Sequence, residues 1–447
     1  MIRTEGSRKV LKSVSWLFVE RMLRLGFTLL TGIYVARYLG ETLFGQLNYA
    51  TGFVGLFFAL GQAGIDDILV RDLVKHPEKR NELLGTGAFI KLCGSILLVL
   101  FATLGSLLKG MDHLTVTLVV IAASAELLRP FTVIDGWFMS QMNTRKSVKV
   151  QMVQVVTSSI AKFTLVGAIA FEYITPAQAL VPFAWMYALE NVVVAMGYLA
   201  AFAREGGNWR HWKSTRPMAA HLLSESWPML IYGMALYVQA RIDQVMIKDL
   251  LTRSRGEAAA FAEVGQYSVA LRMVEALGFV PTILQKSINP AITKAKAHSH
   301  EQYTDRLLNL YRLQFLLFLV MAVPLYFLAK PLIVFFFGME YAPAGYLLSL
   351  FAIRLFFTNM GTAKGSFIVN ESLFKYSLIT AVIGAATNIG INYLLIPQYA
   401  SIGAIWATII SFMVHIFLID LFFPRMRENL GLMVKGMFTF WRFHRAT

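Results

Sequence analysis

Apolar runs of about 18 to 25 residues, separated by short polar links, follow one another along the whole chain. A helix that rises ~1.5 Å per residue needs a run of this length to cross the ~30 Å hydrocarbon core of a bilayer. The pattern therefore predicts an all-α, polytopic membrane protein with about twelve transmembrane helices. The predicted spans are 13–38, 47–70, 84–108, 114–139, 150–171, 179–202, 222–250, 266–289, 307–328, 344–364, 376–396 and 402–423.

The links alternate between strongly basic and nearly uncharged. One set holds about two dozen Lys and Arg residues and the other about five, so the positive-inside rule places the first set in the cytoplasm. Both termini belong to the basic set and are predicted to be cytoplasmic, which independently requires an even number of spans. The basic links, called the basic side below, are 3–12, 71–80, 145–149, 204–216, 294–306 and 425–445.

Two similar words suggest an internal repeat. "FGQLNYA" (44–50) opens the second span and "VGQYSVA" (264–270) opens the eighth, and each follows a span that begins with Ser-Trp. Chance similarity between short apolar words is the alternative. A true repeat predicts two six-helix bundles of the same orientation, related by a pseudo-twofold axis along the membrane normal. The expected domains are an N-terminal bundle (1–205), a cytoplasmic linker (206–220), a C-terminal bundle (221–423) and a basic cytoplasmic tail (424–447).

Composition and motifs narrow the function. The chain is 57% hydrophobic and 15% charged, whereas a soluble protein carries about 25% charged residues. Its net charge of +15 lies mostly in the links, so we expect membrane lipids and no nucleic acid as partners. The sequence contains no zinc-ligand spacing, phosphate loop or dinucleotide fingerprint, so no metal or cofactor is predicted. The uncharged links are too short for the catalytic residues of a glycosyltransferase or polymerase, and an enzyme is not expected.

The stretch "VERMLRLGF" (19–27) places Glu20, Arg21 and Arg24 within the first predicted span. Arg24 would lie close to the bilayer midplane, and Glu20 could pair with it at i+4. One carboxylate cannot neutralise two guanidinium groups, so the remaining positive charge favours binding of an anion, and a diphosphate suits bidentate arginine contacts. The alternatives are that Arg21 reaches the headgroups and that Arg24 forms a structural pair.

Four further cations at membrane depth are candidates for the same role. Arg241 lies in the seventh span, where it could instead anchor the helix at the interface, and Arg272 lies in the eighth, where Glu275 could neutralise it. Lys162 and Arg354 lie well inside apolar runs with no nearby acid in the sequence. Each of them either lines a cavity or finds a partner on another helix.

Acidic residues at the same depth are candidates for ion coupling. Asp243 could hold a coupling cation or pair with Arg241, and Glu20 could serve as a carrier besides pairing with its arginine. Asp135 and Glu190 are single acids that either complete pairs across helices or titrate during transport. The sequence does not distinguish H⁺ from Na⁺ as the coupling ion.

Several words, spread over nearly the whole chain and in the expected order, resemble bacterial Wzx-type O-antigen flippases, which are oligosaccharide-repeat-unit transporters of the polysaccharide transporter family. This family belongs to the multidrug/oligosaccharidyl-lipid/polysaccharide exporter (MOP) superfamily, with the MATE-like fold. The words are "VARYLGETLFGQLNYA" (35–50), "GIDDILVRDLVKHPEKRNELLGT" (64–86), "RPFTVIDGWFMSQM" (129–142), "RIDQVMI" (241–247), "EVGQYSVALRMVEALGFVPTIL" (263–284) and "TNIGINYLLIPQYASIGAIWATI" (387–409).

The resemblance implies transport of an undecaprenyl-diphosphate-linked oligosaccharide across the bacterial inner membrane, as in O-antigen and lipopolysaccharide biosynthesis. It also implies alternating access through a cationic central cavity, and the polysaccharide polymerase and chain-length regulator as partners. Two alternatives stay open. A cation-coupled multidrug antiporter of the same fold would want an acidic or aromatic cavity, and a non-transporting membrane scaffold would tolerate loss of the buried charges.

Overall fold

The computed structural model describes the backbone of residues 5–442 and the side chains of residues 22–442. Throughout that range the chain forms helices joined by short turns, and no β-strand occurs in it. The predicted all-α class is confirmed. The α-helices are α1 (Glu5–Gly55), α2 (Phe58–Gln62), α3 (Asp66–Lys75), α4 (Arg80–Leu108), α5 (His113–Ala125), α6 (Val133–Ser140), α7 (Thr144–Ala170), α8 (Pro176–Arg204), α9 (Arg216–Arg255), α10 (Glu257–Leu277), α11 (Phe279–His298), α12 (His300–Phe337), α13 (Ala342–Asn370), α14 (Phe374–Met413) and α15 (Pro424–Phe438).

Some predicted spans are continuous with their neighbours. Gly40 (φ 74°, ψ 166°) separates the first two spans inside α1, and Ala400 (φ 50°, ψ −132°) separates the last two inside α14. In the described part of the chain, eight helices are long and apolar enough to cross a membrane, or nine if the bent pair Met22–Gly55 and Phe58–Lys75 counts as one span. The chain therefore passes the membrane many times, as the apolar pattern predicts.

Two compact units form from the chain. The first comprises residues 1–43 and 50–237, and the second comprises residues 44–49 and 238–447. The core of the first unit is apolar, and Leu69, Leu84 and Ile134 are fully buried in it. The boundary that the sequence places at 206–220 stays a prediction.

The two repeated words pack against each other within the second unit. A methyl group on Gly45 would overlap the carbonyl oxygen of Phe261 and lie 2.8 Å from the backbone nitrogen of Gly265. Only a residue without a side chain lets the two helix backbones approach so closely. The shared Gly-Gln of the two words thus marks a helix–helix contact.

Two predicted spans depart from the α-helix. The fourth span changes to a 3₁₀-helix over Glu126–Thr132 between α5 and α6, and the twelfth contains a π-helix over Val414–Leu418. Seven residues is long for a 3₁₀ segment, and both kinds of departure recur where a helix bends or carries function. Buried charges lie in the 3₁₀ segment and just beyond the π-helix, and they are described next.

Candidate functional site

In the first unit, Arg24 begins a chain of polar side chains. The half-buried guanidinium of Arg24 on α1 donates to Oε1 of Gln151 on α7. Nε2 of Gln151 in turn donates to the hydroxyl of Tyr198 on α8, at 3.2 Å. The side chains of Arg21 and Glu20, and hence the predicted Glu20–Arg24 pair, lie outside the described residues.

Asp135 on α6 lies near this chain of hydrogen bonds. Ser147 and Tyr198 are its hydroxyl-bearing neighbours, and the charges of Asp66 and Lys91 act on it. Among the described residues, Oδ1 of Asp135 is buried and has no hydrogen-bond partner. The sequence left open whether Asp135 pairs or titrates, and the structure places it among hydroxyl groups and beside a charged pair.

The 3₁₀ segment aligns polar side chains into a ladder, which we call the polar ladder. Glu126, Arg129 and Thr132 recur at every third position of this segment, and a helix with three residues per turn brings such positions onto one face. Asp135 follows three residues later, in the first turn of α6. Glu126 is fully buried and accepts hydrogen bonds from Arg129 and, at 2.9 Å, from the Tyr187 hydroxyl. Glu126 and Arg129 thus form an i+3 ion pair.

Lys91 was missed by the sequence analysis, although it is a cation inside the third predicted span. It is 2% exposed, and its ammonium lies 2.5 Å from Oδ1 of Asp66 on α3 and 2.9 Å from the hydroxyl of Thr132. A cation interrupting an apolar run, the signal that identified Lys162, would have found it. Lys91 links the polar ladder to α3 and α4.

Lys162 and Glu190 form an ion pair between α7 and α8, with Ser158 donating to the same carboxylate oxygen at 2.5 Å. The sequence places no acid near Lys162 and leaves open whether Glu190 pairs across helices. The two charges neutralise each other in this structure. The residues are 28 positions apart in the sequence but face each other on adjacent helices. Both side chains stay about one quarter exposed.

Asp243 on α9 is the centre of an oxygen-rich cluster in the second unit. It is 4% exposed and accepts hydrogen bonds from Tyr267 (2.5 Å), Thr408 (2.6 Å) and Asn392 (2.7 Å). Asn392 also donates to Oδ1 of Asn388 at 3.3 Å, and its own Oδ1 is buried without a partner among the described residues. Oxygen atoms of this kind are the ligands that hard cations prefer.

The proposed Asp243–Arg241 pair does not form among the described side chains, because positions two apart on a helix lie on nearly opposite faces. Arg241 is half-buried and makes no ion pair in the described part of the chain. Arg272 stacks over the ring of Phe44, 5.2 Å from its centroid. Arg354 lies between two phenylalanine rings, 5.7 and 5.4 Å from their centroids, and its Nε is buried without a partner among the described residues.

The π-helix of the twelfth span accompanies a buried ion pair that the sequence analysis missed. Lys364 on α13 is 3% exposed and Asp420 is fully buried, with 2.6 Å between Nζ and Oδ1. Lys364 also donates to the carbonyl oxygen of Ile416 at 2.8 Å and to the hydroxyl of Tyr376 at 2.9 Å. Its ammonium thereby satisfies a backbone carbonyl within the π-helix.

On the basic side of the first unit, Arg71 and Asp72 of α3 form a charged cluster with His221 and Glu225 of α9. Arg71 lies 2.6 Å from Glu225 and 2.8 Å from Asp72, and Nε2 of His221 lies 2.9 Å from Asp72. Partial burial disfavours the charged form of Asp72, but the hydrogen bonds and charges of His221 and Arg71 outweigh it and lower the pKa of Asp72. This cluster joins α3 to the start of α9.

Comparisons with known proteins agree with this architecture. The family model described as "Polysaccharide biosynthesis protein" matches residues 10–280, and no curated protein sequence matches the chain. An inward-facing multidrug resistance MATE transporter of the MOP superfamily is 16% identical, with a TM-score of 0.67, over 92% of this chain and 96% of that one. The lipid II flippase MurJ in an inward closed conformation is 14% identical, with a TM-score of 0.66, over 95% of this chain and 91% of that one.

A third solved structure is a MOP superfamily transporter from Pyrococcus furiosus, described by the reverse polarity of its binding pocket. It is 14% identical, with a TM-score of 0.62, over 95% of this chain and 96% of that one. These likenesses establish the fold. The chain is an all-α, multi-pass membrane protein with the MATE-like fold, and this confirms the fold that the sequence resemblance implies.

Proposed function

Because the chain belongs to the polysaccharide biosynthesis protein family, we propose that it is a flippase for undecaprenyl-diphosphate-linked oligosaccharide repeat units. It would carry units of O-antigen or a related surface polysaccharide across the bacterial inner membrane by alternating access, with both termini in the cytoplasm. The fold supports transport rather than an enzymatic reaction, and one similar structure is a flippase of lipid II. The polysaccharide polymerase and chain-length regulator would then be its partners.

The observation that carries the proposal is the state of Arg354. Its guanidinium lies in a predicted span between two aromatic rings, and its buried Nε has no acceptor among the described residues. Arg354 is half-buried, and a cation at membrane depth in this state favours a bound anion. A diphosphate offers the paired oxygen atoms that a guanidinium fork binds best. Arg24, Arg21, Arg241, Arg272 and Lys162 remain the other proposed contacts of the diphosphate and glycan.

Asp243 is the leading proposed site for the coupling ion. Its carboxylate, the unpartnered Oδ1 of Asn392 and the hydroxyl of Thr408 form an oxygen set suited to Na⁺, and the carboxylate alone can take H⁺. Asp135, Glu190 and Glu20 remain secondary candidates.

The test is replacement of the arginines in cells that depend on this chain for their surface glycan. We expect no surface glycan, at normal protein levels, in cells with Arg354→Ala, Arg24→Ala or Arg24→Lys. The alanine variants lose the cation, and lysine cannot reproduce a bidentate contact. Arg253→Ala is the matched control, since that arginine is exposed on α9 and makes no ion pair in the described part of the chain. Normal surface glycan in both Arg354→Ala and Arg24→Ala cells would contradict the proposal.

A cation-coupled multidrug antiporter is the second candidate, favoured by the similarity to MATE transporters. Such a protein should lower the sensitivity of cells to cationic drugs and dyes, and this effect should depend on acidic residues. The flippase proposal instead expects unchanged drug sensitivity and accumulation of lipid-linked oligosaccharide when the chain is removed. Measuring both in the same strain separates the two functions.

A further inference from the structure

We infer that a cavity at the basic end of the second unit binds one anionic phospholipid, with the phosphate at Arg425 and an apolar part of the lipid inside the cavity. The cavity has a volume of about 370 Å³, within the range of ~300–1,000 Å³ that is usual for ligand sites. The inference goes beyond the proposed function and does not depend on it. The lining residues lie before and within the first turns of α14 and α15 and are Leu373, Tyr376, Phe423, Pro424, Arg425 and Met426.

The cavity lies at the membrane boundary on the basic side, where α14 begins and the twelfth predicted span ends. The turn before α14 is tied to the basic link 294–306, because Lys296 lies 2.8 Å from Glu371. Phe374 and Phe422 each adjoin a lining residue and are 51% and 78% exposed. Exposed apolar side chains at this level mark a surface that contacts lipid. Because the positive-inside rule places this side in the cytoplasm, the inner leaflet would supply the lipid.

The walls of the cavity are fixed by buried hydrogen bonds. Tyr311 on α12 donates to Oδ1 of Asn429 at 2.6 Å and so holds α15 in place. On the other wall, the Tyr376 hydroxyl donates to Asp420 and accepts from Lys364 at 2.9 Å. A site whose walls are already ordered loses little conformational entropy when a ligand binds.

The charges around the cavity favour an anionic lipid. Arg425 lines the cavity and Lys375 is exposed in the first turn of α14, and neither side chain makes an ion pair or hydrogen bond in the described part of the chain. The acids of this region already face basic groups, since Glu371 belongs to the ion pair above and Glu428 lies 3.4 Å from a ring nitrogen of His300.

An apolar interior beside uncompensated positive charge matches the two halves of an anionic phospholipid. Basic pockets on the cytoplasmic side of membrane proteins bind anionic head groups in this way. The cavity is lined by a single guanidinium, which suits the single negative charge of a phosphodiester. A phospholipid therefore fits better than a diphosphate, which offers more charge than one arginine can neutralise.

The experiment counts lipid molecules bound to the purified full-length chain by native mass spectrometry from detergent micelles. The probes are dioleoylphosphatidylglycerol and dioleoylphosphatidylcholine, which share their acyl chains but differ in net charge. We expect one phosphatidylglycerol at saturation, with a Kd about tenfold or more below that of phosphatidylcholine, because the choline group brings a positive charge towards the cations.

Two variants test the two halves of the site. Arg425→Ala should raise the Kd for phosphatidylglycerol about tenfold, as expected for loss of a hydrogen bond to a charged group. Leu373→Trp should abolish the bound lipid by filling the cavity with an indole ring. Lys435→Ala is the matched control, because it removes the same charge from an exposed position about 15 Å further along α15 and should leave the Kd unchanged.

Thermal unfolding in lipid-free micelles shows whether each variant is folded. If Leu373→Trp does not fold, the comparison of Arg425→Ala with Lys435→Ala decides alone. Equal weakening in these two variants overturns the inference, because it means that the basic helix attracts lipid without a site. Wild-type binding in a folded Leu373→Trp chain, or equal affinity for the two phospholipids, also overturns it.

A competition arm tests the other lipid that could occupy the cavity. Farnesyl diphosphate at the same concentration should leave phosphatidylglycerol bound, and its displacement would make the occupant a prenyl carrier and the phospholipid inference wrong. Weakening in Arg425→Ala and Leu373→Trp, with Lys435→Ala unaffected, supports the inference. Surface glycan is measured separately, so the proposed function can fail while this inference stands, and the reverse.

Discussion

Replacing Lys364 by methionine tests how the structure balances charge inside the second unit. Methionine keeps the length and apolar stem of the side chain but leaves the fully buried carboxylate of Asp420 unpaired. It also removes the donor of the Ile416 carbonyl and of the Tyr376 hydroxyl. Removal of one partner from a buried ion pair costs about 3–5 kcal/mol of unfolding free energy. We expect a loss of this size in Lys364→Met.

Removing the second charge should restore part of that stability. In the double variant Lys364→Met/Asp420→Asn, no unpaired charge remains, and the new amide can still accept from Tyr376. Replacing both members of a buried pair by neutral groups is often close to neutral for stability. The interaction free energy of the pair should therefore be about 0.5–3 kcal/mol in a double-mutant cycle.

The assay is equilibrium unfolding of the purified chain in mixed micelles, followed by tryptophan fluorescence. Lys435→Met is the control, because that lysine is exposed on α15 and its loss should change the unfolding free energy by less than about 0.5 kcal/mol. If Lys364→Met is as stable as the wild type, or if the double variant is no more stable than the single one, the reasoning about this buried pair is wrong.

Three further perturbations have definite outcomes. Gly45→Ala should lower the unfolding free energy by about 1–3 kcal/mol or more, since the new methyl overlaps the carbonyl of Phe261, and thermal unfolding in detergent measures the loss. Asp72→Asn should lower the unfolding free energy at pH 7. The pKa of Asp72 is lower in the folded chain than its unfolded value of about 3.9, so the ionised carboxylate stabilises the folded chain at pH values above 3.9. That difference should vanish as the pH falls through the folded pKa, and should shrink in a His221→Ala background. Glu190→Gln should lower the thermal midpoint more in the wild-type chain than in a Lys162→Met chain, because only in the wild type does it break the ion pair. If the effects of the two substitutions on the thermal midpoint are additive, the ion pair is absent.

The helices, the membrane class and the family could be read from the sequence, because bilayer thickness imposes a length on every apolar run. The sequence could not predict which charged residues pair with each other. Lys162 and Glu190, like Lys364 and Asp420, lie in different predicted spans, and the run pattern reports the depth of a residue but not the direction in which its helix turns it. Distance along the sequence therefore made paired residues look isolated.

The Asp243 cluster shows the same limit in a different form. Asp243 stood out as an acid at membrane depth, but its partners are hydroxyl and amide groups on α10 and α14, which attract no notice in an apolar span. Asn388 and Asn392 lie one turn apart on α14, and Asn392 donates a hydrogen bond to the carboxylate. Neutral polar residues at i and i+4 in one span can therefore be the hydrogen-bond partners of a single acid in another span.

The polar ladder carried a sequence signal that the helical interpretation overlooked. Between Glu126 and Thr132 a 3₁₀-helix makes two whole turns, whereas an α-helix of 3.6 residues per turn would leave Thr132 about 120° away from Glu126. In that α-helical form the contacts of Glu126 with Tyr187 and of Thr132 with Lys91 would point to different sides of the span. The buried partners can both be satisfied only when the segment tightens to three residues per turn. A run of polar residues at every third position inside an apolar span is therefore physical evidence for 3₁₀ geometry, and the change from this geometry to an α-helix would separate the two contacts.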